Sequence, residues 1–136
     1  NNKRELDKLN QKMLNFKAQE LAVKAVEHQG LNILLTSVED TDTHGLKTLS
    51  ESLKRLIPDG LVFLWLKEDD KVTFVVTCSQ KAINAGYKAG ELAKQAAVIT
   101  GGNGGGRPDF AQSGGKEVSK LSLAIETIRD KLGLSL

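Results

Sequence analysis

The chain has a single cysteine among its 136 residues, so no internal disulfide can staple it. No apolar run approaches the ~20 residues that a membrane-spanning helix needs. An initiator methionine and a signal-peptide pattern are both missing, and the polar, helix-like beginning suggests a piece cut from a larger protein. A cytoplasmic setting is the expectation, with an organellar one left open. His28 and His44 stand alone, without cysteines or carboxylates at ligand spacing, so no metal site is expected. No Ser/His/Asp set and no poised pair of acids is readable, and Asp69–Asp70 belong to a turn. These absences point away from catalysis by this chain.

What is present is an ordinary globular composition, 26% charged and 40% hydrophobic. The net charge of +2 is unevenly spread. Residues 1–29 carry six Lys/Arg against four acids, residues 30–79 five against eight, and residues 80–136 eight against five. An acidic middle between basic ends suits an anionic partner that touches part of the surface, although solvated helix faces give the same imbalance.

Leu6, Leu9, Met13 and Phe16 recur at three- and four-residue steps, and Leu14, Ala18, Leu21 and Ala25 continue a neighbouring stripe. One helix is therefore expected from residue 3 to about 28, ended by Gly30 and roughly 40 Å long at 1.5 Å per residue. It would serve as an arm, a dimerising coiled-coil partner, a strut, or simply a helix packed on the next domain. The expected organisation is thus a helical arm over 1–29 and a globular domain over 30–136.

Leu31–Val38 and Leu61–Leu66 read as strands apolar on both faces, and Val72–Cys78 as a third. Within the third, period two puts Cys78 on the face of Val72, Phe74 and Val76, as a buried, inert thiol. A helix capped by Asp42 or Thr43, with a stripe of Leu46, Leu49, Leu53 and Leu56, links the first two strands. Such a crossover makes them parallel, and the short turn at 67–71 makes the third antiparallel. A helix is expected over Gln80–Val98, small-residue on one side and carrying Lys81, Lys88 and Lys94 on the other. Its Gly86 and Gly90 each cost about 1 kcal/mol relative to alanine, which implies close approach of another element. A last amphipathic helix is expected over Glu117–Leu132. The fold class is α/β of the mixed α+β kind: a long N-terminal helix, then a small mixed sheet covered by helices.

Between the last two helices lies a glycine-rich loop, residues 101–115, holding seven of the 13 glycines. A flexible linker has such glycine content, but Arg107, Pro108 and Phe110 in its middle and its place inside one domain favour an ordered loop. Bare glycine amides at Gly101, Gly102, Asn103, Gly104, Gly105 and Gly106 can approach an anion, and Arg107 adds a planar charged fork. Asp109 and Gln112 are suited to ribose and base groups or to holding the loop's own backbone. Lys88, Lys94 and Lys116 add charge nearby. A P-loop is excluded because Arg107–Pro108 stands where Lys-Ser/Thr is required. A Rossmann turn is excluded because position 107 is not glycine.

The run Gly-Gly-Asn-Gly-Gly-Gly-Arg-Pro-Asp-Phe-Ala-Gln-Ser-Gly-Gly-Lys at 101–116 closely resembles a signature near the C-terminus of alanyl-tRNA synthetases. The preceding Gly86–Leu92 resembles that family's approach helix. The resemblance implies a DHH-associated-type domain that holds tRNA at its outer elbow, so that aminoacylation and editing centres share one tRNA. It also implies upstream catalytic and editing domains as partners, with possible dimerisation through residues 1–29. ATP, magnesium and zinc would belong to those upstream domains, so no cofactor is expected in this segment. The same domain type resembles the substrate-binding half of DHH phosphoesterases, in which histidine typically follows the glycine triplet; here it is Arg107. A third reading is a dimerisation module without RNA contact.

Overall fold

The structure is a computed structural model that describes residues 19–28, 30–38, 42–57 and 59–132. A six-stranded mixed sheet, in the order β1-β2-β3-β4-β6-β5, forms its centre. Strand β2 (Leu31–Ser37) runs parallel to β3 (Gly60–Lys67), and helix α1 (Thr43–Leu56) crosses between them. Strand β4 (Val72–Cys78) returns antiparallel to β3, with every residue buried. This part follows the hydrophobic pattern closely. Asp42 caps α1 by accepting the Gly45 amide at 2.8 Å. Leu46, Leu49 and Leu53 are buried, but Leu56 is 46% exposed and Ile57 fills its place. Ile57 follows Leu53 by four residues, and its amide still donates to the Leu53 carbonyl at 2.8 Å, so the buried stripe continues by an i,i+4 step where an i,i+3 step was expected.

The expected N-terminal helix is shorter on its C-terminal side. Residues 19–22 are helical, the chain turns at 23–24, and β1 (Val26–His28) pairs antiparallel with β2. The open side of β2 offers unpaired backbone groups, and satisfying them outweighs continuing a weakly apolar helix. Gly30, expected as a helix terminator, is the positive-φ turn between β1 and β2. The arm expected over residues 1–18 lies outside the described residues.

The helix expected over 80–98 is two helices, α2 (Gln80–Asn84) and α3 (Ala89–Ile99). The break falls at Gly86, whose φ of +101° no helix contains. The last helix begins with a 3-10 turn at Val118–Lys120 and continues as α4 (Leu121–Lys131), with Ile125, Ile128 and the adjoining Leu132 turned inward.

Helices α2, α3 and α4 cover one face of the sheet over Ile33, Phe63, Phe74, Val76 and Cys78. Helix α1 covers the other over Leu34, Val62, Leu64 and Val75, with Leu21 packed beside it. Cys78 is buried as expected, and burial, with the nearby charge of Asp109, pushes its thiol up to about 12. It is a thiol, not a thiolate, at neutral pH.

Candidate nucleic-acid interface

The glycine-rich stretch is not a loop. Strands β5 (Asn103–Gly106) and β6 (Phe110–Gly115) form an antiparallel hairpin, and β6 pairs with the otherwise open edge of β4. Glycine carries no side chain to alternate, so the strand leaves no period-two trace in the sequence. The hairpin closes through Arg107 N–H to the Phe110 carbonyl at 2.9 Å, around Pro108 and Asp109.

The turn is clamped from two directions. The Cys78 amide donates to the Asp109 carbonyl at 3.0 Å. The first amides of α3, at Ala89 and Gly90, donate to the carbonyls of Pro108 and Arg107 at 2.9 and 3.2 Å. Two of the amides at the N-terminus of α3 are therefore spent on holding the turn. Farther along, the Ser113 hydroxyl donates to the Ala93 carbonyl at 2.7 Å.

Such closeness explains most of the glycines. A Cβ at Gly90 would stand 2.6 Å from the Gly106 carbonyl oxygen. One at Gly102 would collide with the Gly114 carbonyl, and one at Gly115 with the Thr100 hydroxyl. Gly104 and Gly105, at φ +150° and +151°, need glycine for their backbone conformation as well.

The hairpin nevertheless presents an open edge. Because Arg107 and Phe110 form a hydrogen-bonded pair, ladder alternation makes Gly105–Gln112 another and turns the amides of Gly104 and Gly106 away from β6. The Gly104 amide lies 2.8 Å from the Asn103 side-chain oxygen. This edge borders a groove of about 260 Å³, walled by Lys88, Gly90, Glu91 and Lys94 on one side and by Gly105, Gly106 and Pro108 on the other. Arg107, at the turn between Gly106 and Pro108, does not line the groove; its side chain is 74% exposed, with Nε 3.5 Å from Asp109 Oδ1. An exposed pair of this kind is worth about 0–1 kcal/mol, so the guanidinium is oriented rather than locked.

The structure thus gathers Lys88, Lys94, Gly105 and Gly106 around one groove, with the exposed Arg107 at the adjoining turn. Gln112 is not among them: Ala111, Ser113 and Gly115 face α3, so Gln112 points to the opposite side of the sheet. Lys116 lies beyond the far end of β6, its amide held by the Thr100 carbonyl. Gly101 packs against the side chain of Glu117, and Asn103 and Asp109 serve the local backbone and Arg107. Sequence reading missed Glu91 and Pro108 as groove residues. The three-residue step from Lys88 to Glu91 to Lys94 was the available signal. Among the described residues no group of three or more His, Cys, Asp or Glu is placed to hold a metal ion, and no helix is long and apolar enough to cross a membrane.

A model of the DHHA1 domain matches residues 30–133. The chain belongs to the DHHA1 domain family. It is 36% identical over 129 residues to the alanine–tRNA ligase of Alkaliphilus oremlandii, covering 95% of this chain and 15% of that protein. The alanine–tRNA ligase of Bacillus subtilis is 37% identical over 127 residues, covering 93% and 14%. The chain therefore spans about one seventh of the length of these curated relatives. In fold, this DHHA1 domain is similar to the C-Ala domain of Aquifex aeolicus alanyl-tRNA synthetase, at a TM-score of 0.67 and 24% identity over 78% of this chain and 95% of that one. It is also similar to the DHH domain of PF0399, a member of the s1p family of ribosomal proteins, at 0.58 and 14% identity over 92% and 31%.

Proposed function

We propose that this DHHA1 domain is the C-terminal tRNA-holding module of an alanine–tRNA ligase, acting in the cytoplasm beside upstream aminoacylation and editing domains. The relatives' names over nine tenths of the chain support the parent activity. The observation that supports the RNA contact is the juxtaposition of Lys88 and Lys94 with the side-chain-free Gly105 and Gly106 around one open groove, next to the turn that carries the exposed Arg107. A phosphate strand lying along that groove would meet the ammonium groups of Lys88 and Lys94, and Arg107 at the turn would be available to the neighbouring phosphate. Asn103, Gly104 and Gly105 shape the edge, and Asp109 orients Arg107. Gly101, Gly102, Gln112 and Lys116 support the hairpin or lie apart from it. Holding the tRNA elbow would let the upstream domains share one bound tRNA; dimerisation through residues 1–29 is a separate part of the proposal.

The test is titration of the chain with folded alanine tRNA and, separately, with an unstructured oligonucleotide of equal length. Binding is expected to prefer the folded tRNA, because shape and backbone are what the groove can read. Arg107→Ala should cost about 1–2 kcal/mol, roughly five- to thirtyfold in affinity. Equal affinity for both nucleic acids, or no loss with Arg107→Ala, would refute the assignment.

A further inference from the structure

The groove at the β5 edge does not end at Lys94. A second groove, of about 500 Å³, begins at the same Glu91 and Lys94 and runs past Gln95 and Val98 to Lys131 of α4. Lys88, Glu91, Lys94, Gln95 and Val98 recur at steps of one, three and four residues, so they form one stripe along α3. The stripe from Lys88 to Val98 is about 15 Å long at 1.5 Å per residue, enough to follow several phosphates of one strand. Lys131 crosses to it from the next helix, its Nζ 3.2 Å from Gln95 Oε1.

We propose that this second groove is a separate contact for the phosphate backbone of a base-paired RNA stem, continuing outward from the hairpin. The inference rests on the tRNA-binding reading above and extends it to a surface that reading does not use. Charge favours RNA: three lysines border the joined grooves against one carboxylate, Glu91. A protein partner is disfavoured because, among the described residues lining this groove, Val98 at 62% exposure is the apolar side chain that stands out, Ile99 being half-buried against the core, with no aromatic anchor beside them. Lack of aromatics also argues for a paired stem, since unpaired bases are usually held by stacking platforms. Glu91 stands where the two grooves meet and should repel the same backbone.

The experiment measures the affinity of the 136-residue chain for an alanine tRNA transcript across a salt series. Lys131→Gln should lower the magnitude of the log–log salt slope by about one, whereas Lys47→Gln, on α1 across the sheet, should leave it unchanged. Glu91→Gln should tighten binding about two- to fivefold at low salt, a gain that a misfolded variant cannot produce. An unchanged slope in Lys131→Gln, or no tightening in Glu91→Gln, overturns the second contact. If Arg107→Ala still weakens binding under those outcomes, the hairpin site survives alone. If the unmodified chain does not bind the transcript, both readings fall together.

Discussion

Helix α1 meets the sheet through Leu46, Leu49, Leu53 and the adjoining Ile57, whereas α3 meets β5 and β6 largely through Ala89, Ala93, Ala96, Ala97 and Gly90. The first contact separates two backbones by full side chains and gains its stability from buried apolar area. The second brings backbone against backbone, so that helix amides reach turn carbonyls and a serine reaches a helix carbonyl. Large side chains make a region tolerant of shape; small ones make it exacting. The proposed binding edge is built on the exacting half, where a shift of a few tenths of an ångström moves the Gly106 amide.

The widest break in this comparison should come from emptying the α1 side. Leu49→Ala removes a fully buried side chain and is expected to cost about 2–5 kcal/mol in urea unfolding. RNA affinity of the fraction that remains folded should be unchanged, because α1 lies across the sheet from the groove. Loss of affinity in the folded fraction would show that the two halves are coupled.

Filling the α3 side should cost less stability and more function. Gly90→Ala forces a methyl group against the Gly106 carbonyl and is expected to destabilise by about 1–3 kcal/mol while weakening RNA binding. Gly86→Ala is the matched control. A Cβ there meets nothing within 4 Å, yet the φ of +101° is strained for alanine and should cost of order 1–3 kcal/mol. If both substitutions weaken binding equally, backbone proximity at Gly90 is not what shapes the groove.

The same contrast governs what the sequence could disclose. Strand β4 is readable to its ends because Val72–Cys78 is a continuous apolar run, and α1 because leucines recur on one stripe above Asp42. The hairpin is hidden because β5 is Asn-Gly-Gly-Gly, whose extended form is imposed by pairing with β6 rather than by side chains. Helix α3's separation from α2 is masked by alanines that suit a continuous helix equally well. Strand β1 is a tertiary effect, since only the open side of β2 turns Val26–His28 into strand. At the candidate site, glycine content and neighbouring lysines point to the segment that forms the hairpin, but which way Gln112 faces depends on knowing that residues 110–115 are a strand. Lys116 was grouped by nearness in sequence, which the length of β6 converts into distance in space.

The smallest expected effect lies where the two halves touch, at Asp109. Its carboxylate pairs with Arg107 on the surface while its carbonyl accepts the Cys78 amide. Asp109→Asn removes only an exposed ion pair, so stability should change by less than about 1 kcal/mol. Two signals should nevertheless move. Arg107 loses a competing anion, and RNA binding should tighten slightly rather than weaken. Burial is the larger cause of the raised Cys78 thiol and Asp109 the next, so the substitution should bring the thiol down from about 12 without restoring an ordinary value. The measurement is the pH at which Cys78 begins to react with a thiol reagent while the chain stays folded, followed with the RNA titration. An onset that moves down together with tighter binding places the Asp109 charge between the core and the binding edge. An unmoved onset with weaker binding would mean that Asp109 orients Arg107 more than it neutralises it.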